Sequence, residues 1–138
     1  MNRTHKAGFS LIEIIIVIGI IAALVAAVTV TIRTQLAKSK RKRTEITLKS
    51  TEQAVDLFHS DLTAYPTSLE DLVEKPTDEK LAKKWGEPYL AKIPVDGWGN
   101  ELVYQLNPKG TKPPYELYSW GPNGEGSPKE EQISAWEL

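Results

Sequence analysis

At 138 residues and without a single cysteine, the chain has room for one small domain beside an extended segment, and no disulfide is available to staple it. The formal net charge of −1 conceals a division: six basic residues and no acid lie between Arg33 and Arg43, whereas Thr44 to Leu138 carries nine Lys or Arg against seventeen Asp or Glu. An acidic head repels phosphate, so nucleic-acid binding is not expected of it. On charge alone, the basic collar suits two readings equally: contact with the acidic head of another copy, or a solvated boundary beside a membrane span.

In chain order, the first strong signal is the run Ile14 to Ile32, nineteen residues without a charge. As a helix rising about 1.5 Å per residue, it spans roughly the 30 Å hydrocarbon core of a bilayer. A secretory signal has a shorter apolar stretch and then a small-residue cleavage site. Here Ala22, Ala23, Ala26 and Ala27 lie inside a run that continues through Val30 and Ile32, which favours an uncleaved span. Glu13 sits at its start with apolar residues on both sides, a costly place for a carboxylate and therefore a functional candidate. Lys and Arg are far more numerous after the span than before it, where Arg3 and Lys6 stand, so the positive-inside rule by itself puts the head in the cytoplasm.

Beyond the span, Leu48, Thr51, Val55, Phe58 and Leu62 recur at spacings of three and four, the stripe of an amphipathic helix facing a core. Only Gly19 interrupts the helix formers between Phe9 and Thr63, so one helix is predicted from about Phe9 to Leu62, ending before Pro66. Glu45, Glu52 and Asp56, with Lys49 among them, share another face. Glu52 and Asp56 are like charges four apart, either a solvated face or a pair that meets a cation of a neighbouring subunit, Lys92 or one of Arg41 to Arg43. Thr67-Ser68-Leu69-Glu70 has capping-box spacing and predicts a short helix through Leu72 or Val73. Another helical turn fits between Lys75 and Trp85, and Glu101 to Leu106 and Tyr115 to Trp120 read as two strands joined by Asn107 to Pro114. The architecture is α+β, a long helix on a small antiparallel sheet, with Trp85, Trp98, Trp120 and Trp136 expected to fill its thin core. His5 and His59 are isolated and no nucleophile-and-base pattern occurs, so the chain is not expected to be an enzyme.

Gly8-Phe9-Ser10-Leu11-Ile12-Glu13 before an apolar helix resembles the leader junction of type IV pilins and pseudopilins. The resemblance implies cleavage after Gly8 and N-methylation of Phe9 by the prepilin peptidase/methyltransferase. It also implies that Glu13 neutralises the terminal ammonium when a subunit docks in the fibre, a pairing that desolvation favours, since buried charges are tolerable together and costly alone. Tyr65-Pro66-Thr67, Leu69 to Pro76, Pro88-Tyr89-Leu90, Asp96 to Asn100 and Tyr115 to Gly124 resemble the major pseudopilin of type II secretion, the general secretion pathway protein G family. That family usually has Asp-Pro-Trp-Gly-Asn where this chain has Asp96-Gly97-Trp98-Gly99-Asn100, a permissive residue in place of a stiff one.

The resemblance implies a leader at 1–8, a transmembrane and fibre-core helix at 9–32, its amphipathic continuation at 33–62 and a periplasmic head with a C-terminal loop at 63–138. It overrules the charge count on orientation: a single pass in the bacterial inner membrane, head in the periplasm. It further implies a homopolymer that joins minor pseudopilins, an inner-membrane assembly platform and an outer-membrane secretin to export folded proteins. A calcium ion would hold the C-terminal loop through the carbonyls of Trp120 and Glu125 and the side chains of Asn123, Glu130 and Glu131, where the family has Asp at the last three. The family's Val30 position often holds Pro, so a straighter helix is expected here. Two alternatives stand beside this reading: a major pilin of a surface fibre, and an anchored periplasmic binding domain that never polymerises.

Overall fold

The computed structural model describes residues 8–138. The first helix, α1, runs from Leu11 to Leu62, and Gly19 does not interrupt it. It begins two residues after the expected Phe9: Gly8, Phe9 and Ser10 precede the first turn, which opens with the Ile14 amide donating to Ser10 O at 3.2 Å. Contacts divide the chain after Ala37, giving an N-terminal unit and a head from Lys38 to Leu138. In the N-terminal unit every described residue is exposed, including all the large apolar side chains from Phe9 to Leu36. Thr29, Thr31 and Thr34 direct their hydroxyls back to the carbonyls of Val25, Ala27 and Val30, so the polar atoms of this stretch are consumed within the helix.

In the head, Thr44, Leu48, Thr51, Ala54, Val55, Phe58 and Leu62 bury the predicted stripe of α1. The helix ends on Thr63, whose φ of 58° places a β-branched residue in the left-handed region usually taken by Gly or Asn. A single 3-10 turn, Leu69–Leu72, follows. Its capping carboxylate is Asp71 rather than the expected Glu70: one Asp71 oxygen accepts from Thr67 N at 2.8 Å, Thr67 Oγ1 at 2.6 Å and Ser68 N at 3.4 Å. Next comes α2, Glu79–Lys84, capped by Asp78, which accepts from the amides of Lys80 and Leu81.

Strands β1 (Val103–Leu106) and β2 (Tyr115–Ser119) pair antiparallel, with Val103 opposite Tyr118 and Leu106 opposite Tyr115. A third strand, β3 (Ile133–Ser134), adds to the far side of β2, giving the order β1-β2-β3. The core between α1 and the sheet is aliphatic and tyrosyl. Leu48, Phe58, Leu72, Leu117 and Tyr115 are fully buried, while Trp85 and Trp98 pack on the margin and Trp136 is 41% exposed. The expectation of a tryptophan-filled core is therefore corrected. In so thin a head the indoles cover edges, where two of their N–H groups find backbone acceptors: Trp85 donates to Asp71 O and Trp136 to Tyr115 O. Tyr115 takes the central place, with Tyr65, Tyr104 and Trp136 rings between 5.1 and 5.6 Å from its own.

Candidate functional site

Three groups of residues carry the chemistry singled out in the sequence. At the N-terminal junction, Gly8 and Phe9 are exposed, Phe9 by 79%, so the peptide bond between them is open to a processing enzyme. The leader residues Met1 to Ala7 lie outside the described residues. Ser10 and Glu13 form an S-x-x-E pair: the Ser10 amide donates to Glu13 Oε2 at 3.4 Å and Ser10 O accepts from Ile14 N at 3.2 Å. Within a single copy, Glu13 thus turns back toward the start of its own helix and takes up an otherwise orphaned amide. The Ser10-Leu11-Ile12-Glu13 spacing is the signal of this cap in the sequence.

The acidic face of α1 is partly neutralised within the chain. Lys49 Nζ lies 3.0 Å from Glu52 Oε2, and Glu45 receives Arg41 Nε at 3.4 Å and Lys42 Nζ at 3.5 Å. Asp56 is exposed, as is Lys92, and neither forms an ion pair among the described residues. Glu52 and Asp56 also act inward. Burial pushes the Tyr115 phenol above its usual range and the Asp56 and Glu52 carboxylates push it further. The Tyr115 hydroxyl is buried without a hydrogen-bond partner.

The C-terminal loop leaves the sheet at Trp120. Gly121 adopts φ +83°, and a Cβ there would fall on the Glu131 carbonyl oxygen, so the outgoing and returning limbs touch where only glycine fits. Asn123 Nδ2 donates to Glu131 Oε2 at 2.6 Å, and Gln132 Nε2 to Ser127 O at 3.0 Å. Trp120 and Glu125 border one cleft together with Asn100. The loop carries hard oxygens of the kind calcium takes, and it brings Asn123 and Glu131 together, here through the Asn123 amide nitrogen rather than its oxygen. Glu125 and Glu130 do not join Glu131 in a cluster: among the described residues, no three carboxylate, His or Cys side chains gather as a metal site.

Beneath this loop lies a network that sequence reasoning did not find. The carboxylate of Asp96, 3% exposed, accepts from Trp98 N at 2.9 Å and Asn100 N at 3.0 Å through one oxygen, and from Ser119 Oγ at 2.6 Å through the other. Ser119 Oγ in turn accepts from Gly121 N at 3.0 Å. The neighbouring Gly97 amide donates to Thr44 Oγ1 at 2.8 Å, and Thr44 Oγ1 donates to Lys40 O at 2.9 Å. One buried acid, satisfied by three donors rather than a cation, thus joins the Asp96–Asn100 turn to the end of β2 and, through Ser119 Oγ, to Gly121, while the adjacent Gly97 amide ties the turn to α1. A turn-initiating Asp before Gly was its signal in the sequence.

An apolar helix with a leader junction at its start and a small antiparallel head at its end defines a type IV pilin-like protein. Residues 3–29 match the prokaryotic N-terminal methylation motif, and residues 31–136 match type II secretion system (T2SS), protein G. The type II secretion system core protein G of Pseudomonas aeruginosa is 38% identical over 99% of this chain and 99% of its own length. That of Escherichia coli K12 is 37% identical over 100% and 97%. The fold is similar to the crystal structure of the major pseudopilin from the type 2 secretion system of enterohaemorrhagic Escherichia coli, with a TM-score of 0.61 at 26% identity, covering 73% of this chain and 90% of that one. The chain belongs to the type II secretion system protein G family, the major pseudopilins.

Proposed function

We propose that this chain, as a major pseudopilin, is a structural subunit that polymerises from the inner membrane into a periplasmic pseudopilus, with its head on the periplasmic side. The observation that carries the reading is the exposed Gly8–Phe9 bond followed by Glu13 at the head of an uninterrupted apolar helix. The prepilin peptidase/methyltransferase cleaves after Gly8 and methylates Phe9. In the growing fibre the Glu13 carboxylate leaves the Ser10 amide for the Phe9 ammonium of a neighbouring copy. A charged pair is a far better partner than a 3.4 Å amide contact once lipid and protein exclude water. Minor pseudopilins, the inner-membrane platform and the outer-membrane secretin are the partners of such a fibre, and its role is mechanical rather than catalytic.

Mass spectrometry of the mature chain tests the first step. An N-methylated Phe9 terminus is expected, and an intact Met1 sinks the proposal. Glu13→Ala is expected to be processed normally and to give no fibre. On the head, Asp56 with Glu52 is proposed to meet Lys92 of a neighbouring copy. Asp56→Lys is then expected to reduce assembly, and the added exchange Lys92→Asp to restore it. Calcium enters the same proposal as the ion of the C-terminal loop, with Asn123 and Glu131 as its central side-chain donors, cross-linking the two limbs. A rise in thermal midpoint with calcium over chelator is expected, and an unchanged midpoint removes the ion from the reading.

A further inference from the structure

We propose that the basic collar Lys38–Arg43 is a binding site for anionic glycerophospholipid headgroups, holding each unassembled subunit at the membrane surface. Five of its six residues are cationic: Lys38, Lys40, Arg41, Lys42 and Arg43. Among the described residues the one carboxylate within ion-pair reach of them is Glu45, held loosely at 3.4 and 3.5 Å by Arg41 and Lys42, whose side chains stay 61% and 73% exposed; Glu137 borders the same cleft without pairing. Lys38 and Arg43 are exposed and have no ion pair among the described residues. Unpaired charge of one sign at this density is repulsive by itself and calls for counter-charge from outside the chain.

The distribution around the helix says what kind. At about 100° per residue, Lys38, Arg41, Lys42 and Arg43 cover an arc of roughly 200°, the arc of α1 that the buried Thr44 and Leu48 leave open. A docked protein meets one side of a helix, whereas a headgroup layer reaches every open side of it, and cations spread over the whole open arc fit the layer. In sequence, five residues separate Ile32, the end of the uncharged run, from Lys38. Long Lys and Arg stems reach back toward headgroups from such positions, and attraction of this kind acts within about 8 Å at physiological salt. The same anionic surface repels the rest of the head, which from Thr44 onward holds seventeen acids against nine bases. Binding is therefore confined to the collar.

The test uses the full chain at one copy per nanodisc of equimolar phosphatidylglycerol and phosphatidylcholine, with native mass spectrometry of the lipids retained on ejection. Several-fold enrichment of phosphatidylglycerol is expected, falling to the bulk share at high salt and in the triple variant Lys38→Gln, Lys42→Gln, Arg43→Gln. A control, Lys75→Gln, Lys80→Gln, Lys83→Gln, removes equal charge elsewhere on the head and is expected to keep the enrichment. Equal retention of the two lipids by the wild-type chain overturns the inference, as does equal loss in both triple variants. Self-association in multi-copy discs that needs the collar, without lipid enrichment in single-copy discs, assigns it to the acidic head of a second copy and also overturns it. The inference rests on the membrane anchor and not on polymerisation: a chain that fails to enter discs of either lipid overturns anchor and inference together.

Discussion

The two stretches of α1 share one helical backbone and differ in composition and in what they bury. From Leu11 to Ala37 every residue is exposed, and the apolar side chains are distributed all round the helix. From Lys38 to Leu62 the buried residues keep to one stripe. The first pattern has no place in water and needs a solvent of lipid or of other helices; the second needs a single folded partner, which the sheet supplies. Continuous helical backbone thus carries two contracts with its surroundings, and the folding energy of the head comes from the second alone.

Paired truncations sharpen that contrast most. Phe58→Ala empties the centre of the head and is expected to cost about 3–5 kcal/mol in urea unfolding of the full chain in detergent. Val25→Ala, 59% exposed in the native residue, is expected to leave the same transition unmoved, and a matching loss there breaks the comparison. Gly97→Ala comes next: its Cβ would land on the Lys40 carbonyl oxygen, and forcing the turn away from α1 strains the Thr44 bond, at a cost of about 1–3 kcal/mol. Tyr115→Phe works the other way, removing a buried hydroxyl that has no partner, and is expected to stabilise the head by about 1 kcal/mol. The smallest effect is alkaline. Burial, helped by the hydrogen bond to Asp61, pushes the Tyr89 phenol up to about 12 from 10.0. Because the folded pKa is the higher one, its contribution is complete below pH 10.0 and is lost as pH rises toward about 12. Tyr89→Phe is expected to make unfolding measurably less steep in pH across that window.

Periodicity made the span, α1, β1 and β2 legible, because each presents a repeated choice between apolar and polar. β3 escaped notice since Ile133–Ser134 is too short to repeat anything, and its place is fixed by the return of the C-terminal loop rather than by its own residues. The cap at Asp71 was misread by one position because Glu70 satisfied the same spacing. At the candidate sites, residue types were visible and partners were not. Glu52 read as half of an acidic pair, whereas the fold gives it Lys49 at 3.0 Å. The Asp96 network joins residues 23 apart at Ser119, while the adjacent Gly97 bonds Thr44 across 53 positions, separations at which no local pattern speaks.

By its sequence Gly97 is a permissive residue in a turn, but the fold leaves it little freedom. The Thr44 hydroxyl accepts its amide and the Lys40 carbonyl occupies the space of a side chain, so proline would lose the bond and collide at once. Position 97 and the Lys40–Thr44 turn of the helix are therefore coupled in this chain: the bond needs the Thr44 hydroxyl, and the close approach needs a residue without a Cβ. A proline-bearing 96–100 turn grafted onto this helix is expected to stand farther from α1, because the atoms it meets are the backbone of Lys40, which no exchange of side chains at residues 40–44 removes. The backbone of one helical turn thus acts as a mould for the turn laid on it, and sets how near the rest of the head can come.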